Sequence, residues 1–230
     1  QKYAELAVSV TAADLAKVDL PHLTAEQTGK VASMGNYWDT LGWVYFQKGD
    51  LEAAERYIRS AWLLDQRGEM ADHLARIYEK RGKKDEAIRT YAMALAAPHP
   101  NLDTRARLTL LLGGNSQIGD LVRQAAPMLA ALRKLPAGKL LNESAQAQFT
   151  VLLSPGKTPS HSPRVESVRF LDGGEQLRAF ADRLRSLDYG PLFPDASPMK
   201  LVRRGTLSCS AKAAECSVLL DLPDELPAIN

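Results

Sequence analysis

Small and aromatic residues return along the first half of this chain at helical spacing. Trp38, Leu41, Gly42 and Tyr45 fall at i, i+3, i+4 and i+7, one face of a helix. Trp38, Leu41, Gly42, Tyr45, Gly49, Ala54, Ile58 and Ala61 are followed, 33 positions later at every member, by Ala71, Leu74, Ala75, Tyr78, Gly82, Ala87, Tyr91 and Ala94. Units of this length are usually helical hairpins that cannot bury an apolar face alone and so stack. The register predicts helices over about 36–47, 52–64, 70–81 and 86–96. Gly42 and Ala75 oppose Ala54 and Ala87, so paired helices can approach closely while the aromatics fill the grooves. Gly49 and Gly82 sit just past the first helix of each unit, where a left-handed residue ends it at low cost. Asp50 and Asp85 are acceptors near the start of the next helix.

The pattern is weaker on either side. Residues 2–18 read as a helix broken before Pro21. Tyr3, Ala4 and Ala7 have the spacing of a packing helix whose partner is missing, which implies a fragment of a longer protein. Residues 24–33 read as a second, short helix or an insertion. Beyond Pro98 and Pro100, Asp103 to Leu112 is a helix with Leu108, Leu111 and Leu112 on one side, stopped by Gly113-Gly114. Its partner spans Gln117 to Leu135, kinked or restarted at Pro127. This pair reads as a terminal cap, which needs one polar outer face.

The period changes from helix to strand near Pro136. Ala147, Phe149, Val151 and Leu153 alternate with Gln146, Gln148 and Thr150. After a loop over 154–163, Val165 to Leu171 is a second strand. Gly174 to Leu187 is a helix with Leu177, Phe180, Ala181, Leu184 and Leu187 on one stripe. Leu201 to Cys209 and Cys216 to Leu222 are two further strands. The expected class is multi-domain, α plus α+β. Residues 1–135 form a helical repeat domain, with clear units at 35–67 and 68–100 and a divergent cap at 101–135. Residues 136–230 form a small antiparallel sheet with one helix, in the order β-β-α-β-β.

Composition adds limits. Among 230 residues, 29 Lys and Arg against 27 Asp and Glu leave a net charge of +2, which makes no case for nucleic acid. No run of 18 or more apolar residues exists, so no helical span across a membrane is expected.

The stretch Tyr37-Trp38-Asp39-Thr40-Leu41-Gly42-Trp43-Val44-Tyr45, with the small and aromatic positions of both units, resembles the tetratricopeptide repeat family. The second unit departs from it with Ala71 in place of Trp38 and Ala75 in place of Gly42. The C-terminal half resembles the small α+β domain of TonB-like proteins, through Val168-Arg169-Phe170-Leu171-Asp172-Gly173, the helix after it and Phe193-Pro194. As a whole the chain resembles the C-terminal part of large secreted bacterial tetratricopeptide proteins, some with a transglutaminase-like domain upstream. That likeness implies a region accessory to an enzyme; no catalytic residue of such a domain has a counterpart here.

The repeat resemblance implies that the first helix of each pair lines a concave, protein-binding surface. Beside the packing stripe, that face would carry Asn36, Asp39, Thr40, Trp43 and Phe46 from one unit. The next would supply Asp72, His73, Arg76 and Glu79. Trp43 and Phe46 are either binding anchors or are covered by residues 2–33. A C-terminal acidic peptide is a poor fit, because the basic and asparagine clamp used for such ligands is replaced by Asp39 and Trp43.

Catalytic chemistry has no constellation behind it. Gly156-Lys157-Thr158 follows a strand but lacks the glycine of a phosphate loop at Val151, and Pro159 and Pro163 preclude the required helix. His22, His73, His99 and His161 are scattered. No metal or cofactor is expected, and no enzyme activity. Cys209 and Cys216 share parity with the apolar positions of two adjacent strands and can face each other across a hairpin. They form a disulfide in an oxidising compartment or remain buried thiols in the cytosol. The reading is a scaffold binding a protein or peptide, extracytoplasmic if the disulfide forms and otherwise cytoplasmic. The alternative is a non-catalytic accessory region of a secreted peptidase or transglutaminase-like enzyme.

Overall fold

The computed structural model describes residues 1–158, 162–173, 175–190, 192–212 and 215–223. Gly174, where the C-terminal helix was expected to start, lies outside the described residues. So do Pro159, Ser160 and His161 of the loop after the first predicted strand, and Ala213 and Ala214 between the cysteines. The chain separates into two compact units. One holds residues 1–8 and 35–132; the other holds residues 9–34 and the chain from Arg133 onward. Sequence reading had drawn one boundary at 135/136.

The repeat unit is built from helical pairs. Helix α1 spans Lys2–Leu15 and α2 spans Ala25–Lys48. They are followed by α3 (Leu51–Leu64), α4 (Gly68–Lys80) and α5 (Lys84–Ala96). Trp38, Leu41, Ala54, Ile58, Ala61, Ala71, Leu74, Ala75, Ala87, Tyr91 and Ala94 of the periodic set are buried, and its Tyr45 and Tyr78 are half-buried. A Cβ added to Gly42 would lie 2.5 Å from Ile58 Cγ1 and 3.0 Å from Ile58 N, so α2 and α3 meet at glycine because nothing larger fits.

Both first helices end in the same way. Gly49 and Gly82 adopt φ of 84° and 71°. The Asp50 N–H donates to Tyr45 O at 3.0 Å, and the Lys83 N–H to Tyr78 O at 2.9 Å, the six-to-one bond of a glycine-ended helix. Asp50 then caps α3, accepting from Ala53 N at 3.0 Å. Asp85 has no such role: α5 is capped at Lys83 without a side-chain bond, and Asp85 sits inside its first turn.

Sequence reading separated 24–33 from the first repeat helix, but α2 is one helix of 24 residues. Its start is a reciprocal cap. Gln27 N donates to Thr24 Oγ1 at 3.2 Å, and Thr24 N donates to Gln27 Oε1 at 3.1 Å. Tyr3 is 85% exposed; on the first turns of α1 the covered positions are Ala4, Ala7 and Val8.

The third pair is α6 (Thr104–Leu112) and α7 (Ile118–Ala131), with Pro127 inside α7. Leu108 and Ile118 join Ala75, Ala87 and Tyr91 in one buried cluster, with Leu111 and Leu112 packed against it. The α4 N-terminus is held by the loop before this pair. Gly68 N donates to Pro98 O at 2.6 Å and Glu69 N to His99 O at 3.1 Å. His99 has φ of 54°, and a Cβ on Gly68 would stand 2.4 Å from Ala94 O.

The other unit is an antiparallel sheet of β1 (Lys134–Gly138), β2 (Ala145–Ser154), β3 (Arg164–Phe170), β4 (Leu201–Ser210) and β5 (Glu215–Leu220), in the order β1-β5-β4-β2-β3. Four strands fall where the alternation placed them; β1 replaces the end of a predicted helix. The expected helix over 174–187 is two short turns, α8 (Glu175–Arg178) and α9 (Ala181–Arg185), with Leu177, Leu184 and Leu187 buried.

Ala147 pairs Leu207, Leu207 pairs Val218, and Cys209 pairs Cys216, which sets the apolar positions in cross-strand rows. Leu152 and Val202, on the opposite face, are also buried. A 3-10 turn at Leu20–His22 contacts β2 and β3. Arg169 donates to Leu20 O at 3.3 Å and Lys200 to Val18 O at 3.0 Å, the bonds that hold 9–34 within this unit.

Candidate functional site

Helices α2, α4 and α6, the first of each pair, share one side of the repeat unit. Trp43, Phe46 and Gln47 from α2, Arg76, Glu79 and Lys80 from α4 and Arg107 from α6 line an open cleft of about 400 Å³. Its floor is aromatic. Trp43 stacks on Phe46 with centroids 4.6 Å apart and on His73 at 4.2 Å. Spacing explains the convergence: Phe46 follows Trp43 by three positions, and Arg76 and Lys80 follow Asp72 and Arg76 by four. Arg76 Cζ lies 5.6 Å from the Trp43 ring centroid and Lys80 Nζ 5.3 Å from that of Phe46.

The charges are unequally engaged. Asp72 is 0% exposed and accepts three bonds: from Arg76 Nε at 2.7 Å, Thr104 Oγ1 at 2.8 Å and Asn101 Nδ2 at 3.0 Å. It cannot touch a ligand as the sequence reading supposed; its carboxylate is used to fasten α4 to the start of α6. Arg76 also reaches Asp103 through Nη2, at 2.9 and 2.8 Å from the two oxygens. Arg107 pairs with Asp103 at 3.4 Å and Glu79 at 3.6 Å. Partial desolvation raises the Asp103 carboxyl, but the Arg76 charge and the Arg107 bond outweigh it and hold it below its usual range. Burial, then the bond to Glu79, push the Tyr91 phenol well above its usual range, so Tyr91 stays a neutral donor to Glu79 at 2.8 Å. Lys80 is the one cleft cation without a carboxylate partner among the described residues.

The other candidate positions divide. Asn36 and Thr40 are exposed, and Thr40 Oγ1 donates to Asn36 O at 2.8 Å. Asp39 is buried against His73. Trp43, Phe46, His73 and Arg76 are half-buried and Glu79 is exposed. Gln47, Lys80 and Arg107 were missed. Gln47 and Lys80 each lie one turn beyond residues already singled out. Arg107 comes from the third pair, where the register has faded.

In the other unit a second cleft of about 450 Å³ includes Lys157, Arg164, Glu166 and Lys200. Its Lys200 is spent on Val18 O, and Arg164 stands 3.7 Å from Glu166. Cys209 and Cys216 are joined as a disulfide with Cα atoms 4.0 Å apart.

Stacked helical hairpins whose first helices build a shared cleft define a repeat protein of the helical class, whose members generally hold other proteins. Family models of the tetratricopeptide repeat match residues 35–66 and 70–105, and the chain carries tetratricopeptide repeats there. The matched stretches cover less than a third of its length. No curated protein and no solved structure matches the chain.

Proposed function

We propose that the repeat unit is a scaffold that takes a peptide or protein segment across the cleft of α2, α4 and α6 and does no chemistry there. The observation that carries this reading is the aromatic floor. Trp43 and Phe46 are half-buried beside a packing stripe that already has its own aromatics, and they lie open to the cleft. Such rings anchor an apolar side chain at low entropic cost. Lys80, without a carboxylate of its own, would fix direction by meeting an acidic group of the segment. Arg76 and Glu79 line the path, and the exposed Asn36 and Thr40 would extend it along α2, with His73 and the buried Asp39 beneath Trp43. The Cys209–Cys216 disulfide supports a periplasmic or secreted setting.

The test is selection of peptides from a displayed library on the whole chain, followed by affinity measurement. Enriched peptides should pair an apolar anchor with an acidic residue. Trp43→Ala with Phe46→Ala, and separately Lys80→Glu, should weaken them at least tenfold while circular dichroism is unchanged. Asp72 and Arg76 are left intact because they hold the fold. Unchanged affinity in both variants would move the interface away from this cleft.

A further inference from the structure

Asp39, Glu69 and His73 come together from two helices. Glu69 and His73 are four positions apart on α4 and so share a face, and Asp39 projects from α2 toward them. One ligand atom from each lies within 4.8 Å of the other two. His73 Nδ1 is 3.0 Å from Asp39 Oδ1 and 3.0 Å from Oδ2.

We propose that these three side chains bind a divalent first-row transition-metal ion. A nitrogen 3.0 Å from both oxygens of a carboxylate makes a bifurcated hydrogen bond, and that is also the spacing that a shared ion produces. Two ligand atoms each about 2.1 Å from a metal and at right angles to one another stand about 3.0 Å apart. Glu69 is exposed and free to rotate toward the other two. Two carboxylates offset the charge of the ion. The imidazole selects transition ions over calcium and magnesium, which take oxygen ligands. The His73 ring is held by its stacking on Trp43, which fixes where Nδ1 points. Three protein ligands leave coordination positions for water or for a donor brought by a partner. This site does not depend on a segment lying in the cleft.

The test uses the untagged full chain, stripped with chelator and titrated calorimetrically with nickel and with zinc chloride. One ion should bind per chain. Glu69→Gln and His73→Ala should each weaken binding at least tenfold with unchanged circular dichroism; Glu69 is exposed, so its variant leaves the fold in place. Nickel should quench tryptophan emission in the native chain. In Trp43→Phe that quenching should fall sharply. No saturable binding, or binding equally strong in Glu69→Gln and His73→Ala, overturns the proposal and leaves Asp39 and His73 as a hydrogen-bonded pair.

Discussion

Gly42 and Asp72 show how much of this fold rests on single positions. Space at Gly42 is closed by Ile58 on the facing helix, including its backbone nitrogen at 3.0 Å. Gly42→Leu should therefore lower stability by about 1–3 kcal/mol or more, despite leucine's better helix propensity, as read from urea unfolding. A midpoint within error of the native chain would show that α2 and α3 part without cost. Asp72 is the opposite case, a charge with no access to water whose three donors come from α4 and the residues before and at the start of α6. Asp72→Ala would leave Thr104 and Asn101 without that acceptor and Arg76 with one carboxylate fewer. A loss of about 3–5 kcal/mol is expected. Neither the burial of Asp72 nor its partners could be read from sequence. Position 72 lies next to Ala71 on the helix, and its role depends on Asn101 and Thr104, which only the folded chain brings to it.

At the scale of elements, the glycine-ended helices and the small residues between them were legible, because local geometry demands those residue types. The reciprocal Thr24–Gln27 cap lies where the sequence places the start of a short helix over 24–33; what the sequence does not show is that this helix runs on through Gly35 into the first repeat. The break between α8 and α9 and the strand β1 were not legible. β1 contains Pro136 and follows a helix directly, and only pairing with β5 makes it a strand. The link between α4 and α6 should depend on pH. Asp103 has a depressed folded pKa, so its contribution is present above the unfolded value of 3.8 and is lost as pH falls through the lower folded one. The side chain is about half exposed, so the amount is modest, about 0–1 kcal/mol. Asp103→Asn should cost more stability at pH 7 than at pH 3; an equal cost at both would assign the loss to packing. The β4–β5 hairpin carries the other element-scale expectation. Its disulfide closes a loop of sequence separation 7, and reduction should lower stability by about 2–3 kcal/mol on the loop-entropy account. Mass spectrometry before and after reductant, with denaturant unfolding of Cys209→Ser with Cys216→Ser, checks both the bond and its weight.

For the molecule as a whole, the candidate cleft was visible only in outline. Trp43, Phe46 and Arg76 could be placed from the repeat resemblance, which says which helix lines the face, whereas Arg107 and the meeting of Asp39 with Glu69 and His73 arise from stacking between repeats. The other unit is ordered differently in time. Repeat hairpins are completed by neighbours in sequence, but among the described residues β1 pairs with β5 alone, and β5 is the last strand. The bond from Lys200 to Val18 joins residues 182 positions apart, and that from Arg169 to Leu20 joins residues 149 apart. Contacts of such separation form slowly, because the loop must close before they are gained. During synthesis, residues 9–34 emerge long before the strands that will receive them. Leu20 and Val18 gain these partners only once the chain has grown past residues 169 and 200, after the hairpins at 35–96 have emerged.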